Sequence, residues 1–160
     1  MIGPKDLADA FARNLDMIKQ QTQGLTHADS VLQPPVRGNC LNWVLGHIAE
    51  TRNLVLQQLG QPPLLSEAHA KRYGHGSAPV CADGEDILKL ETLLELLEQS
   101  QKTIDEVLGH ISSEELNKKV QSFLGTTTLG QLLFFLYYHE TYHLGQTELL
   151  RELALAHKGA

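Results

Sequence analysis

In Leu129-Gly130-Gln131-Leu132-Leu133-Phe134-Phe135-Leu136-Tyr137-Tyr138-His139-Glu140-Thr141-Tyr142-His143 an apolar run, Leu129 to Tyr138, leads straight into a segment bounded by two imidazoles. Its spacing predicts a helix that starts near Thr127 or Thr128, either of which can cap it, and continues to about Ala156. On a helical wheel Leu132, Leu136, His139, His143, Gln146 and Leu150 fall within about one-sixth of a turn of His139. The two His therefore lie inside the apolar stripe and face a core. Four residues apart, they differ by about 40° around the axis and roughly 6 Å along it, which lets one helix offer two nitrogens to one metal ion.

Three more helical stretches precede this one. From about Pro4 to Gly24, Leu7, Phe11, Leu15 and Ile18 recur at helical spacing, with Pro4 suited to a first turn and Gly24 to a stop. From about Asn39 to Gly60, Leu41, Val44, Leu45, Ile48, Val55, Leu56 and Leu59 supply apolar faces, and Asn39 can cap. From about Asp83 to Leu108, Ile87, Leu90, Leu94, Leu97, Ile104 and Leu108 form a stripe. Thr26 to Gly38 carries Pro34-Pro35 and reads as extended or turning. Ile111 to Thr126 holds one short helical turn at Ser112 to Leu116, and no segment reads as a convincing strand. The connection from Gly60 to Ala82 is long enough to cross a bundle, so the second and third helices can run parallel. The expectation is one all-α domain over residues 1–160, a four-helix bundle.

Composition narrows the function. A net charge of −6 with no dense Lys/Arg stripe argues against a nucleic-acid partner. No basic amphipathic segment or spanning-length apolar run argues for a membrane, and the first residues lack a signal-peptide core, so the cytoplasm is the expected compartment. Cys40 and Cys81 are too few for a disulfide framework and read as free thiols.

A third imidazole, His47, points inward from the second helix, with Cys40, Trp43, Val44, Thr51 and Leu54 on its side. One buried His is ordinarily a hydrogen-bonded core residue. Two more inside an apolar stripe change that, because burying unpaired imidazoles is costly. Three neutral imidazoles suit Zn(II), Ni(II), Fe(II) or Cu(II) better than Mg(II) or Ca(II), and three protein ligands leave a coordination position open. His27, His69, His75, His110 and His157 fall in loops or near helix ends and read as surface residues.

His139 to His143 also matches His-Glu-x-x-His, the zinc-peptidase pattern. The extended form of that pattern needs Gly at 146 and His at 149, where the chain has Gln146 and Leu149. Glu148 and Glu152 lie on the same helix and cannot fold back onto the ion, and no strand is available to hold a peptide. Glu140 to His143 is also a Glu-x-x-His, but a di-iron carboxylate bundle needs two of these, and no other His has Glu three positions before it.

Trp43-Val44-Leu45-Gly46-His47-Ile48 on the second helix, followed by His139-x-x-x-His143-x-Gly145-Gln146 on the fourth, resembles the DinB superfamily along essentially the whole chain. The resemblance implies an up-down-down-up four-helix bundle with a long crossover between helices 2 and 3, commonly a homodimer. It implies a divalent metal, Ni or Zn above Fe or Mn, held by His47, His139 and His143. The family includes thiol S-transferases, so the implied partner is a small molecule such as a low-molecular-weight thiol. Many relatives carry a basic or aromatic residue between the last two His or just after them, where this chain has Tyr142 and Leu144. A metal-dependent thiol transferase, a metal-dependent hydrolase and a non-catalytic metal-binding or stress-response protein are the functions this leaves open. Glu140 and Glu50 are candidates to orient a ligand or take a proton, Gln146 to touch the bound group, and Tyr142 to line the pocket.

Overall fold

A computed structural model describes residues 3–123 and 125–158. Four long helices make the frame: α1 (Pro4–Thr22), α3 (Leu41–Gln58), α5 (Leu90–His110) and α7 (Leu129–Lys158). Three short helices, α2 (His27–Ser30), α4 (Glu67–Tyr73) and α6 (Ser113–Leu116), punctuate the connections. Around the bundle α1 touches α5 and α7, and α3 touches the same two, so α1 and α3 sit diagonally. Asn14 bonds Thr141 and Arg151 bonds the Gln21 carbonyl, so α1 and α7 run parallel. Asn42 reaches Leu88 and Arg52 reaches Ser100, so α3 and α5 run parallel. Arg52 with Glu140 and His47 with His143 set α3 antiparallel to α7. This is the up-down-down-up bundle, with the crossover between α3 and α5 carrying α4.

The first helix follows its stripe: Leu7, Phe11, Leu15 and Ile18 are buried, Pro4 is its first residue, and Gly24 takes φ 76° just beyond the end. In α3 nearly every side chain from Leu41 to Asn53 is buried, because α4 packs on the face that would otherwise meet water. Cys40 is the N-cap residue of α3, in place of Asn39, and its buried thiol donates to the Val80 carbonyl at 3.2 Å. The third long helix begins at Leu90 and not near Asp83. Residues 83–89 instead form a turn, in which Asp83 is ion-paired to Lys89 and lies 3.0 Å from His27 Nε2. That contact also half-buries His27, so it is not the simple surface residue its loop position suggests.

Strand structure is present where none was expected. β1 (Lys119–Ser122) and β2 (Gly125–Thr128) form an antiparallel hairpin with Val120 opposite Thr127. The β-branched Thr126, Thr127 and Thr128 favour a strand, and Gly125 at φ 82° supplies the turn conformation. The hairpin runs straight into α7. Thr128 Oγ1 accepts the Gln131 N–H at 3.2 Å and Gln131 Oε1 accepts the Thr128 N–H at 3.1 Å, a reciprocal cap at the helix start. No helix is long and apolar enough to cross a membrane among the described residues.

The core is two apolar clusters with a polar layer between them. One gathers Leu15, Ile18, Leu41, Leu45, Ile48, Leu93, Leu144 and Leu150. The other gathers Phe11, Val55, Leu56, Ile104, Leu132, Leu133 and Leu136. Asn14, Thr51, Arg52, Ser100, Gln101, Glu140 and His143 are all buried at the levels between. The candidate site belongs to this layer.

Candidate metal centre

His47 projects from the middle of α3, and His139 and His143 from the middle of α7. One ligand nitrogen from each lies within 4.8 Å of the other two. Ring centroids stand 5.1 Å apart for His47 and His139, 4.8 Å for His47 and His143, and 4.6 Å for His139 and His143. His47 and His143 are buried, and His139 is half-buried.

The outward nitrogens are occupied, which orients the inward ones. His47 donates Nδ1–H to the Tyr73 carbonyl at 2.8 Å. His143 donates Nδ1–H to Gln146 Oε1 at 2.7 Å. His139 Nδ1 lies 3.4 Å from Thr51 Oγ1. Both committed rings therefore present an unprotonated Nε2, as metal-ligating His do when a neighbour holds the other nitrogen. His139 and His143 Nε2 are 3.3 Å apart. Two nitrogens each bound to a tetrahedral ion at about 2.0–2.1 Å would be about 3.3–3.4 Å apart. The donor set and its spacing fit a divalent transition ion.

Burial, opposed by the Tyr73 carbonyl and reinforced by charge on His143, His139 and His75, pushes His47 from 6.5 to about 4. Burial lowers His139 and His143 as well. Neutral imidazoles are the form a cation needs. Trp43 stacks on His47 at 4.9 Å and 23°, closing one side of the ring.

The other sequence candidates divide. Gln146 is a direct partner of His143, as its place on the wheel suggests. Tyr142 is 62% exposed, with its ring edge-on to His143 at 5.2 Å, so it stands at the rim. Glu50 Oε2 is 3.8 Å from His47 Nδ1, beyond hydrogen-bond range, and burial raises its carboxyl pKa. Glu140 turns away from the three His altogether. Fully buried, it grips Arg52 through two bonds of 2.9 Å. It is neither a ligand-orienting group nor a solvated carboxylate, because residue 140 sits about 100° around the helix from His139 and meets a cation there.

Two contributions lay outside the sequence reading. Tyr73, fully buried, comes from the crossover, and its carbonyl holds His47. Its ring lies against Gly46, where an added Cβ would sit 2.1 Å from Tyr73 Cδ1. A glycine in the interior of a helix, next to a ligand His, was the available signal for that approach. Arg52 was the second, hidden because a lone cation on a helix reads as solvated.

An all-α frame with three imidazoles meeting between its second and fourth long helices defines a bundle positioned to hold a metal ion. The chain belongs to the DinB superfamily, whose model matches residues 10–147. The solved structure of a conserved protein from Enterococcus faecalis has the same fold, with a TM-score of 0.74 and 17% identity over 98% of this chain and 99% of that one. No curated protein matches this chain.

Proposed function

We propose that this protein binds a divalent transition metal, Zn or Ni, through Nε2 of His47, His139 and His143, and acts on a small-molecule thiol as an S-transferase-like enzyme. One observation carries the metal reading: one ring nitrogen from each His lies within 4.8 Å of the other two, while Nδ1 of His47 and of His143 is occupied from outside. A divalent ion there supplies Lewis acidity, which lowers the pKa of a thiol or a water entering its open position. The residues around it orient, shield and bound that position. Tyr73, Thr51 and Gln146 fix the rings, Trp43 excludes water from one side, and Tyr142 edges the entrance. The thiol is favoured over a peptide because the two strands among the described residues, β1 and β2, precede α7 and belong to a hairpin that contributes no residue to the three-His cluster.

Water activation is the second reading. Glu50, held near His47 with a raised carboxyl pKa, favours it as a nearby proton acceptor. The family's dimeric habit and the exposed Tyr138, Tyr142 and Leu149 of α7 support a second copy as partner. A monomer mass by light scattering at micromolar concentration would end that proposal.

Elemental analysis of the purified protein and of His47→Ala tests the centre. Wild-type protein should carry about one ion per chain, and the variant should lose most of it, since two imidazoles fall short of the three protein ligands an open site uses. Full occupancy in the variant contradicts the ligand set. Thiol chemistry is tested with the Co(II)-loaded protein, several low-molecular-weight thiols and an electrophile. If the spectrum ignores every thiol and none is consumed, the transferase reading fails and the metal reading stands.

A further inference from the structure

The crossover makes a tight turn beside the metal centre. At one end the Tyr73 carbonyl receives His47 Nδ1–H at 2.8 Å. At the other, Ser77 Oγ receives the Trp43 indole N–H at 2.9 Å. Between them the Ser77 N–H donates to the Gly74 carbonyl at 3.1 Å, which makes His75 and Gly76 the central residues of a β-turn. Gly76 takes φ 78°, the conformation that a second central residue needs in such a turn and that L side chains rarely adopt. The turn is thus pinned at both ends to the α3 residues that build the His47 side of the site. His75 is held at its apex.

The ring of His75 is exposed, and no protein hydrogen bond engages it among the described residues. Of the five His outside the trio, it alone lies in a segment whose flanking residues, Tyr73 and Ser77, hold His47 and its stacking partner Trp43. The others are engaged or distant: His27 lies against Asp83, His69 bonds Ser66, and His110 and His157 lie at the ends of α5 and α7.

We propose that His75 is a ligand-contacting residue of this centre, and that the crossover turn presents its ring N–H to an anionic donor group held at the open coordination position. An imidazole carries an N–H in either charge state, so the contact does not depend on which state is present. His75 differs from the three metal ligands in a telling way. Each of those has a neighbour at its second nitrogen, as metal-ligating imidazoles usually do, whereas His75 has none. It is therefore placed to touch what the ion holds, not to hold the ion. The inference rests on the three-His metal reading and is independent of thiol chemistry.

The test is an azide titration of Co(II)-loaded protein followed in the visible spectrum, after Co(II) affinity has been measured for each variant. His75→Ala should weaken azide binding about tenfold, the scale of one hydrogen bond to an anion, while Co(II) affinity stays within about twofold. His75→Gln, which keeps an N–H donor, should recover part of the loss. Unchanged azide affinity in His75→Ala overturns the proposal. So does a parallel tenfold loss of Co(II) affinity, which would make His75 a metal ligand. A wild-type protein that takes up Co(II) but whose spectrum ignores azide overturns it too. A wild-type protein that takes up no Co(II) is a different result: the three-His reading itself then fails and removes the basis for this one.

Discussion

His139 and Glu140 are consecutive residues of α7, and their partners His47 and Arg52 share α3, yet the two regions they build are opposites. At the His site, inward nitrogens face one another with no protein proton committed between His47 and His143. At the Arg52–Glu140 pair every donor is used. Arg52 Nε and Nη2 hold both carboxylate oxygens, Nη1 reaches the Leu97 carbonyl, Ser100 and Gln101, and Nη2 also reaches the Phe11 carbonyl at 3.0 Å. One guanidinium thereby ties all four long helices together. The first region is shaped to receive something; the second is complete and fixes how α3 and α7 are rotated against each other. That rotation decides whether His139 and His143 look toward His47.

The largest effect should come from breaking the complete region. Arg52→Ala or Glu140→Ala leaves a buried charge without its partner and should destabilise the fold by about 3–5 kcal/mol. The double replacement Arg52→Met with Glu140→Leu should recover most of that stability, because a buried pair is often matched by apolar residues of similar volume. Metal affinity should not recover to the same degree if the pair specifies the rotation of α7. Urea unfolding and Co(II) titration on the same three proteins separate the two effects. Full recovery of both would make the pair a simple filler of space.

The next effect belongs to the receiving region and follows pH. In chelator-treated protein His47 is held at about 4, against 6.5 in the unfolded chain. Between those values the unfolded chain binds more protons than the folded one, so stability falls as pH drops from about 6.5 to about 4. Above 6.5 the group contributes nothing. For one imidazole displaced this far the loss is on the order of 3 kcal/mol, and His139 and His143, shifted the same way, act in the same direction. Thermal melts of chelator-treated wild type and His47→Gln at pH 7.5, 6 and 5 measure it. The variant should lose less Tm over this range, and equal losses would remove His47 from the account.

The same contrast explains what the sequence reveals and what it hides. Helical periodicity places the four long helices, and the wheel puts His139, His143 and Gln146 on one face, since both depend only on local geometry. The crossover is legible from its length alone. Glu140 is not legible: its role depends on Arg52, 88 positions away in the chain, and no periodic signal links them. The hairpin at 119–128 is too short for a period to register, although Gly125 followed by three threonines carries its propensity. Tyr73 reaches the site only because the crossover folds back over α3. A loop's destination is tertiary information, and Gly46 is its one local trace.

Two glycines beside the ligands bring the comparison to its smallest scale. Gly46 precedes His47 and Gly145 follows His143 by two positions, both in helix interiors, where Gly costs about 1 kcal/mol relative to Ala. At Gly145 an added Cβ meets nothing within 4 Å, so Gly145→Ala should stabilise by about that amount and leave metal affinity unchanged. At Gly46 the same atom would sit 2.1 Å from the ring of Tyr73, a fully buried side chain with no free space to retreat into. Tyr73 is anchored besides: its hydroxyl donates to Asn42 Oδ1 at 3.0 Å and accepts the Leu88 N–H at 2.9 Å. Gly46→Ala must therefore push the crossover off α3, a net cost of about 1–3 kcal/mol. The Tyr73 carbonyl moves with it and releases His47 Nδ1, so metal affinity should fall about tenfold, the lower end of what losing such a partner costs. Thermal melts and Co(II) titrations of the two variants decide this. If both alanines stabilise the protein and keep its metal affinity, the crossover does not orient His47.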